Sequence, residues 1–447
     1  MKILFVAHQF FPDHSAGVET VTLGISRELK ARGHESHVLA PKRSIEGDIR
    51  PGELEDYEYE GIPVRRIGRP EEGFSRPYHL NYRNDTMARR VREYMKEIQP
   101  DIVHVMHLQG LSASVLPVFE EFGAPVVYTA SDFWTICPVV DLRRHDGVMC
   151  RGPDLHHCIR CIASRDPDSR MNATMNRTPD AALKTAGLFS RTPLSRFSHP
   201  LRQVKDLRER PVYIREKMEH VDRVIAYTRI ARDLLVANGV GERKIEVSTY
   251  GIDTSDIVKA PKNRDLPPPL RVGFIGTLAP HKGCDILIRA FKQLSGLDAS
   301  LAIYGDLERY EGYVEELRGL AERDRRIFFL GVFSWREIGR VLSEIDVLVV
   351  PSRWYENAPS VIYAAFAAGT PVIVTDLGGM SEVVEPEKNG LLSPLESPDD
   401  LARQLRRVGE EPGLLEKLRA GIGPVKTVEE NVDELEELYE ELLEERA

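Results

Sequence analysis

The stretch Pro351–Pro394, PSRWYENAPSVIYAAFAAGTPVIVTDLGGMSEVVEPEKNGLLSP, decides the fold. A buried strand is predicted just before it, and a loop carrying Glu356 leads from that strand into a helix with Pro359 in its first turn. A second buried strand then ends at Gly378 and Gly379, where the backbone can approach a ligand closely. Because the first N–H groups of a helix lack partners and the helix dipole is positive there, this helix start is predicted to bind phosphate.

The alternation of short apolar strands and helical patterns continues on both sides of this stretch. The predicted strands are Ile3–Ala7, His37–Ala40, Ile102–Met106, Val126–Thr129, Val224–Tyr227, Val272–Ile275, Leu301–Tyr304, Ile327–Leu330, Val347–Val350 and Val372–Val374. Such alternation is typical of βαβ units in parallel sheets, whose ligands bind beyond the carboxyl ends of the strands. A polar stretch that ends in Pro267–Pro269 predicts a stiff linker between two such sheets.

The composition limits the class of protein. At 447 residues with 42% hydrophobic content, the chain is long enough for two or three soluble domains. Its net charge of −10 argues against a general nucleic-acid binder, which needs a basic surface to displace counterions from phosphates. No apolar run reaches the roughly 18 residues that a transmembrane helix needs, and Lys2–Ala7 is too short for a secretory signal. Five cysteines do not fit a secreted disulfide framework, so a cytoplasmic protein is expected.

Four further segments extend the pattern: KILFVAHQFFPDHSAGVETVTLGISRELKARGHESHVLAP at the start, VIAYTRIARDLLVANGVGERKIEVSTYGID in the middle, then GFIGTLAPHKGCDILIRAF and IYGD. Together with Pro351–Pro394, and in this order, they resemble the retaining GT-B glycosyltransferases of the large family-4 type. The resemblance covers nearly the whole chain. It implies two Rossmann-like, doubly wound α/β domains that face each other across a cleft, with the C-terminal helix returning to the first domain.

The resemblance and the strand pattern together predict the domain boundaries. An acceptor-side domain is expected over residues 1–258, interrupted by a cysteine-containing insertion at about 137–217. A linker at 259–270 is expected to lead to a nucleotide-sugar donor-binding domain at 271–425. Residues 426–447 are expected to form an amphipathic helix, with an apolar stripe on one side and acidic residues elsewhere.

The resemblance implies transfer of a sugar, with retention, from a nucleotide diphosphate sugar to a hydroxyl of a glycan or a lipid-linked saccharide. No catalytic metal is expected, and the base and sugar of the donor are not readable from the sequence. A second hypothesis stays open: a catalytically degenerate relative that binds nucleotide sugar or glycan as a scaffold or regulator. A nucleotide-sugar epimerase of similar architecture fits less well, because the motif order follows the transferases.

Within the resemblance, Glu356 matches the first glutamate of an E-x7-E motif close to the donor sugar, and Lys282 matches the lysine that pairs with the diphosphate. The second motif glutamate, which would hold the ribose, is replaced by Ala364. Without the resemblance, Glu356 could be a helix-start charge worth only about 0.3–1 kcal/mol, and Lys282 an ordinary surface lysine. The donor-binding residues implied are Gly17, Gly276, Thr277, Lys282, Tyr304, Glu356, Asn357, Ala358, Pro359, Ser360, Val361 and Ala364.

Two further positions depart from the family pattern. Thr277 stands where an arginine is common, so Lys282 is expected to carry more of the stabilisation of the departing phosphate, with Arg353 as a candidate supplement. Ser131 stands where a histidine is usual. The neighbouring Asp132 is therefore the candidate base if the chemistry needs one, which makes Glu356, Asp132 and Lys282 the candidate catalytic residues.

Other first-domain residues allow two interpretations each. In the glycine loop Ser15–Val18, Gly17 is expected to supply a positive φ, although a plain strand-to-helix turn would also fit. His104 and His107 follow a strand and could point into the cleft. A lone histidine is more often a core or rim residue, and this reading is favoured for His104.

Four cysteines, Cys137, Cys150, Cys158 and Cys161, fall within 25 residues. The C-x-x-C pair can hold one tetrahedral metal ion, and the other two thiolates would complete a closed structural zinc site. An iron–sulfur cluster uses the same type of ligand, and unligated thiols are the remaining reading. Cys284 stands alone and is expected to be buried.

The segment 165–217 is polar, basic and irregular in pattern, with apolar residues interspersed. Arginines beside exposed apolar side chains could rest on anionic lipid headgroups, so a peripheral contact with the inner face of a membrane is one hypothesis. A solvated loop is the equal alternative.

Overall fold

The computed structural model describes residues 1–14, 17–43, 49–69, 77–165, 177–193, 198–257 and 269–446. The chain divides into two compact units, the first formed by Met1–Thr249 with Val428–Ala447 and the second by Tyr250–Thr427. The long N-terminal segment of the first unit therefore ends at Thr249, ahead of the predicted boundary at residue 258. Residues 259–268 of the predicted linker lie outside the described part of the chain.

The first unit is built on an eight-stranded sheet in the order β3-β4-β2-β1-β5-β6-β7-β8. The strands are β1 Lys2–Val6, β2 Glu35–Arg43, β3 Leu54–Tyr59, β4 Ile62–Arg69, β5 Ile102–Val105, β6 Val126–Ala130, β7 Arg223–Ala226 and β8 Ile245–Val247. All neighbouring pairs are parallel except the antiparallel pair β3–β4. Strands β5 and β6 are buried at every residue, which requires cover on both faces of the sheet.

The α-helices described in the main part of the first unit are Gly17–Ala31, Asp85–Ile98, Leu116–Glu121, Leu155–Ser164, Asp180–Phe189, His199–Met218 and Arg229–Ala237. The C-terminal helix Val428–Arg446 belongs to the same unit and buries Val432, Leu435 and Tyr439 in its core. On its outer face, Asp433 forms an ion pair with Arg32, whose Nη1 lies 2.6 Å from the Asp433 carboxylate. The predicted return of this helix to the first domain is confirmed.

The segment 165–217 corrects one expectation. Where the sequence pattern suggested an irregular region, the described part contains the helices Asp180–Phe189 and His199–Met218. The helical period was hard to read because the second helix contains Pro211 and because basic residues interrupt its apolar positions. Among the described residues, no helix combines the length and the apolarity that a membrane span requires.

The second unit contains a wholly parallel six-stranded sheet in the order β11-β10-β9-β12-β13-β14. Its strands are β9 Leu270–Ile275, β10 Ala299–Tyr304, β11 Ile327–Gly331, β12 Val347–Val350, β13 Val372–Thr375 and β14 Gly390–Ser393. Its helices are Cys284–Phe291, Glu311–Ala321, Ile338–Ser343, Ser360–Ala367, Met380–Val383, Pro398–Glu410 and Leu414–Ala420. The chain therefore has the two Rossmann-like, parallel-sheet domains that were predicted.

Candidate active site

The loop after β12 carries the predicted glutamate into the interior of the second unit. Glu356 is 6% exposed, and its Oε1 accepts hydrogen bonds from Lys282 Nζ at 2.6 Å and from Ser352 Oγ at 2.7 Å. The Lys282 ammonium also lies 5.1 Å from the centroid of the Trp354 ring, within reach of a cation–π interaction. The structure thus joins two residues that the sequence assigned separately to the donor.

A close approach of two backbone segments makes this pairing feasible. Lys282 ends the short 3-10 turn Pro280–Lys282, and the next residue, Gly283, has a φ of +71°. A Cβ atom on Gly283 would lie 2.0 Å from the carbonyl oxygen of Pro351. Only glycine therefore allows this turn to pack against the end of β12, where Lys282 reaches Glu356.

Glu356 is held in its ionised form. Burial raises the pKa of the carboxyl, but the Lys282 charge and the hydrogen bonds to the carboxylate outweigh burial and hold the pKa below its usual range. A carboxylate in this state accepts hydrogen bonds and does not donate them. Glu356 can therefore bind sugar hydroxyls or a cation at neutral pH.

Arg353 forms an ion pair with Asp285 and does not stand free for the suggested contact with phosphate. Its two terminal nitrogens lie 2.7 Å from the two carboxylate oxygens of Asp285, and Nη1 also donates to the carbonyl oxygen of Pro280. This bidentate ion pair, together with the hydrogen bond to Pro280, connects the loop after β12 to the turn that carries Lys282. The expectation that Arg353 supplements Lys282 receives no support from this geometry.

The predicted helix after Glu356 runs over Ser360–Ala367, and Pro359 is its N-cap residue, one position ahead of the expected first turn. No side chain caps this helix start, so its first N–H groups can bind an anion. The Gly379 N–H donates to the Glu356 carbonyl oxygen at 2.9 Å and holds the glycine pair against this loop. The predicted donor residues that gather here are Asn357, Ala358, Pro359, Ser360 and Val361.

Two predicted donor residues lie in apolar surroundings. Ala364 has no exposed surface and belongs with Tyr304 to one hydrophobic cluster. The Tyr304 ring packs edge-on against Phe333, and burial raises the pKa of its hydroxyl. Ala364 therefore offers no polar group for ribose hydroxyls. Gly276 and Thr277 follow β9 beside the end of β10, where the Gly276 N–H donates to the Tyr304 carbonyl oxygen at 3.1 Å.

In the first unit, Gly17 is the first residue of the helix Gly17–Ala31, and it is not among the described glycines with positive φ. The expectation of a left-handed conformation there was wrong, and the plain strand-to-helix turn describes Gly17 better. Ser15 and Ala16 of the predicted glycine loop lie outside the described residues.

The candidate base Asp132 accepts one hydrogen bond at each of its carboxylate oxygens. Its Oδ1 accepts the Trp134 N–H at 2.8 Å, and its Oδ2 bonds to His107 Nε2. Because His107 Nδ1 accepts the Gln109 N–H at 2.9 Å, the proton of the neutral ring resides on Nε2 and is donated to Asp132. Each carboxylate oxygen of Asp132 keeps a further lone pair that can accept a proton from a substrate.

Two residues that the sequence analysis missed complete this cluster. His8 lies two residues after the end of β1, and its ring packs at a tilt against the His107 ring with the centroids 4.3 Å apart. The carboxylate of Glu19 lies 3.6 Å from His8 Nε2. Because β1 pairs with β5, a polar residue just after β1 is a neighbour of one just after β5. That register was the signal that could have identified His8.

His104 is a core residue, as favoured from the sequence. It is 1% exposed, its Nδ1 bonds to Tyr439 Oη at 2.5 Å, and its Nε2 bonds to Thr129 Oγ1 at 2.7 Å. Burial lowers the pKa of His104 to about 3. The residue therefore anchors the C-terminal helix in a neutral form.

Cys137, Cys150, Cys158 and Cys161 line one small cavity in the first unit. In the absence of a cation, burial raises the pKa of Cys158 to about 12 and of Cys161 to about 11. Among the described residues, the only group of three or more His, Cys, Asp and Glu ligand atoms within 4.8 Å of one another is Asp154, His156 and His157. The four thiols therefore surround the cavity more widely than bound ligands would. Cys284 is fully buried in the second unit.

Comparison with solved structures defines the class of fold. The chain resembles a sucrose-phosphate synthase from Thermosynechococcus elongatus with a TM-score of 0.67 and 16% identity over 99% of both chains. It also resembles Anabaena Alr3699/HepE in complex with UDP and glucose, with a TM-score of 0.62 and 18% identity over 98% of this chain and 99% of that one. The fold is therefore GT-B.

Sequence comparison finds a matching domain model in each half of the chain. Residues 259–422 match the model of glycosyl transferases group 1, and residues 15–148 match that of Glycosyltransferase Family 4. An uncharacterized glycosyltransferase of Methanocaldococcus jannaschii is 35% identical over 32% of this chain and 36% of its own length. The curated relatives are matched over 36–57% of their lengths. Each half of the chain therefore matches the model of a glycosyltransferase domain, within a chain of GT-B fold.

Proposed function

We propose that the chain is an enzyme that transfers a sugar, with retention, from a nucleotide diphosphate sugar to a hydroxyl group. The observation that carries this proposal is the Lys282–Glu356 pair, 2.6 Å apart, beside the uncapped start of the helix Ser360–Ala367. Cation, carboxylate and free amide groups are the partners that a sugar diphosphate requires. A structural neighbour that was solved with UDP and glucose supports the same donor class.

Donor binding would exchange one partner of Lys282 for another. The ammonium would turn from Glu356 to the diphosphate, and the released carboxylate would accept hydroxyls of the sugar. When the bond between the anomeric carbon and the diphosphate breaks, Lys282 and the helix start would stabilise the charge left on phosphate oxygen. The acceptor oxygen bonds to the anomeric carbon on the same face, and its proton passes to the leaving phosphate.

The acceptor would be a hydroxyl of a glycan or a lipid-linked saccharide, bound by the first unit. A small, partly open pocket of the first unit, with a cavity volume of about 20 Å³, would offer polar groups to one such hydroxyl. Polar side chains suited to sugar hydroxyls dominate its lining, which includes His8, Gln9, Asp13, His14 and Lys42. Because the His8 ring also packs against the His107 ring, the pocket adjoins the His107–Asp132 pair.

Peripheral contact with a membrane would suit a lipid-linked acceptor. The helix Asp180–Phe189 ends in two exposed apolar residues, Leu188 at 63% and Phe189 at 50%. The basic residue Lys184 precedes these two apolar residues in the sequence, and Arg191 follows them. We expect co-sedimentation with anionic vesicles that the double substitution of Leu188 and Phe189 by serine abolishes, and unchanged sedimentation would refute the contact.

The second candidate function is a degenerate binder of nucleotide sugar or glycan. It is favoured by Ala364, which has no exposed surface and replaces the ribose-holding glutamate, and by Ser131 in place of a histidine. The Ser131 hydroxyl donates to the Met106 carbonyl oxygen at 2.9 Å and so has a structural role.

An NMR assay of purified chain with nucleotide sugars and simple alcohol or saccharide acceptors tests the proposal. A glycoside with the anomeric configuration of the donor supports retaining transfer. Inverted product would refute retention, and saturable binding without product from any acceptor would favour the degenerate binder.

A further inference from the structure

Four of the five cysteines converge on one place in the first unit, although they come from three different local structures. Cys137 lies in the turns after β6, Cys150 follows a short bridge between Arg143 and Met149, and Cys158 and Cys161 share the helix Leu155–Ser164. All four line the same cavity. Cys158 and Cys161 are three residues apart and so face the same side of their helix.

The backbone around these cysteines is arranged to support sulfur ligands. The His145 N–H donates to Cys161 Sγ at 3.3 Å, and the N–H groups of Val139 and Leu142 donate to Cys137. The loop that follows Cys137 contains two residues with positive φ, Val140 at +81° and Leu142 at +49°. Left-handed backbone is costly for a β-branched or bulky residue, and such conformations cluster at binding sites.

The size of the cavity discriminates between the candidate occupants. The space enclosed by the thiols holds little more than a water molecule, which suits a single ion and not a cluster of four irons and four sulfides. Four thiolates are the ligand set of a closed structural zinc site. Zinc–sulfur distances near 2.3 Å require sulfur atoms about 3.8 Å apart, so the ion must draw the thiols inward.

We propose that Cys137, Cys150, Cys158 and Cys161 bind one structural Zn²⁺, which clasps the insertion to the end of β6. Four zinc–sulfur bonds form and the four thiol protons pass to solvent. The clasp reaches the candidate active site through Cys137, whose N–H donates to the Phe133 carbonyl oxygen at 2.7 Å. Phe133 directly follows Asp132, so the ion would fix the loop that presents the Asp132–His107 pair.

Elemental analysis of the purified full-length chain tests this site. We expect about one zinc per chain, lost in the double variant Cys158→Ser/Cys161→Ser and retained in Cys284→Ala, whose cysteine lies in the other unit. His157 also lines the cavity, and His157→Ala should keep the zinc if the four thiols are the ligands. A metal-free chain, iron in place of zinc, or zinc retained by the double variant would overturn the proposal.

A second measurement avoids dependence on the folding of the variants. A mercurial reagent is titrated into the native chain while a chromogenic chelator reports released zinc. Release in proportion to the modification of four thiols supports the clasp, and thiol modification without any zinc release refutes it. The positioning role predicts that zinc removal lowers kcat with a smaller change in the affinity for nucleotide, which the second unit binds.

Discussion

The ammonium of Lys282 lies 2.6 Å from the carboxylate of Glu356, although 74 positions separate the two residues in the sequence. The Glu356 side chain is 8% exposed and that of Lys282 is 24% exposed, so the pair is largely shielded from solvent. The Lys282 charge helps to keep Glu356 ionised in the free protein. A donor diphosphate would therefore compete with Glu356 for the same cation.

Replacement of Lys282 by methionine should impair both donor binding and catalysis. The diphosphate loses its cation, so we expect kcat to fall by about 10²–10³-fold, as for other removed stabilisers of transition-state charge. Steady-state kinetics and calorimetry with the preferred donor provide the measurement. Lys388→Met is the control, since that lysine is 57% exposed in the same unit and pairs only with Glu385 in the described contacts. Equal activity of the two variants would remove Lys282 from the mechanism.

Glu356→Gln should separate binding of the nucleotide from chemistry. Glutamine keeps the size of the side chain but loses the charge that would accept sugar hydroxyls. We expect kcat to fall on the order of 10²-fold while the affinity for the free nucleoside diphosphate is kept or increased, because Lys282 no longer has a competing carboxylate. The exposed Glu385→Gln is the control. Normal turnover by Glu356→Gln would contradict the assigned role.

Gly283→Ala should disrupt the turn that presents Lys282. The new Cβ would meet the Pro351 carbonyl oxygen at 2.0 Å in a left-handed backbone, so we expect a stability loss of about 1–3 kcal/mol and weaker donor binding. The helical Gly319 has no atom within 4 Å of a Cβ position. Gly319→Ala should therefore stabilise the chain by about 0.5–1 kcal/mol, which urea unfolding can measure. Similar effects of the two substitutions would show that the close approach at Gly283 does not matter.

His104 should make the stability of the first unit depend on pH. Its pKa is about 3 when folded and 6.5 in an unfolded chain, so protons bind preferentially to the unfolded state as the pH falls below 6.5. The stability contribution is complete above pH 6.5 and should decline by about 2 kcal/mol between pH 7 and pH 5. Urea unfolding at both pH values should show this loss in the parent chain and a smaller one in His104→Gln. An identical pH dependence in both would contradict the buried neutral histidine.

Much of the fold could be predicted because the central strands are short, apolar and buried on both faces. Strand β6 is an example, since all five of its residues are buried. The edge strand β3 was missed for the opposite reason: its sequence, LEDYEY, alternates half-buried and exposed residues and contains no apolar run. Strand β4 was missed because Arg65 and Arg66 interrupt its apolar pattern.

The candidate site was predictable as a set of residues but not as a set of contacts. Glu356 and Lys282 are marked by their motifs, yet their ion pair depends on the approach of Gly283 to Pro351, which no local pattern encodes. His8 is a similar case, because only the pairing of β1 with β5 brings it next to His107.

Ala364→Glu tests whether the missing motif glutamate limits donor affinity. A carboxylate that reaches two ribose hydroxyls should add about 1.5–3 kcal/mol, or roughly 10–100-fold in affinity. Because Ala364 has no exposed surface, the same change should lower the melting temperature of the free chain. Ala364→Leu controls for crowding alone. An unchanged donor affinity in Ala364→Glu would show that the ribose is held elsewhere.

The most direct test of the central claim is calorimetric titration of the unmodified chain with UDP-, GDP-, ADP- and dTDP-sugars, repeated with Lys282→Met. We predict saturable binding of one donor at a single site per chain, and loss of most of that affinity in Lys282→Met. If no nucleotide sugar binds, or if Lys282→Met binds as tightly as the parent chain, the Lys282–Glu356 pair does not form a donor site.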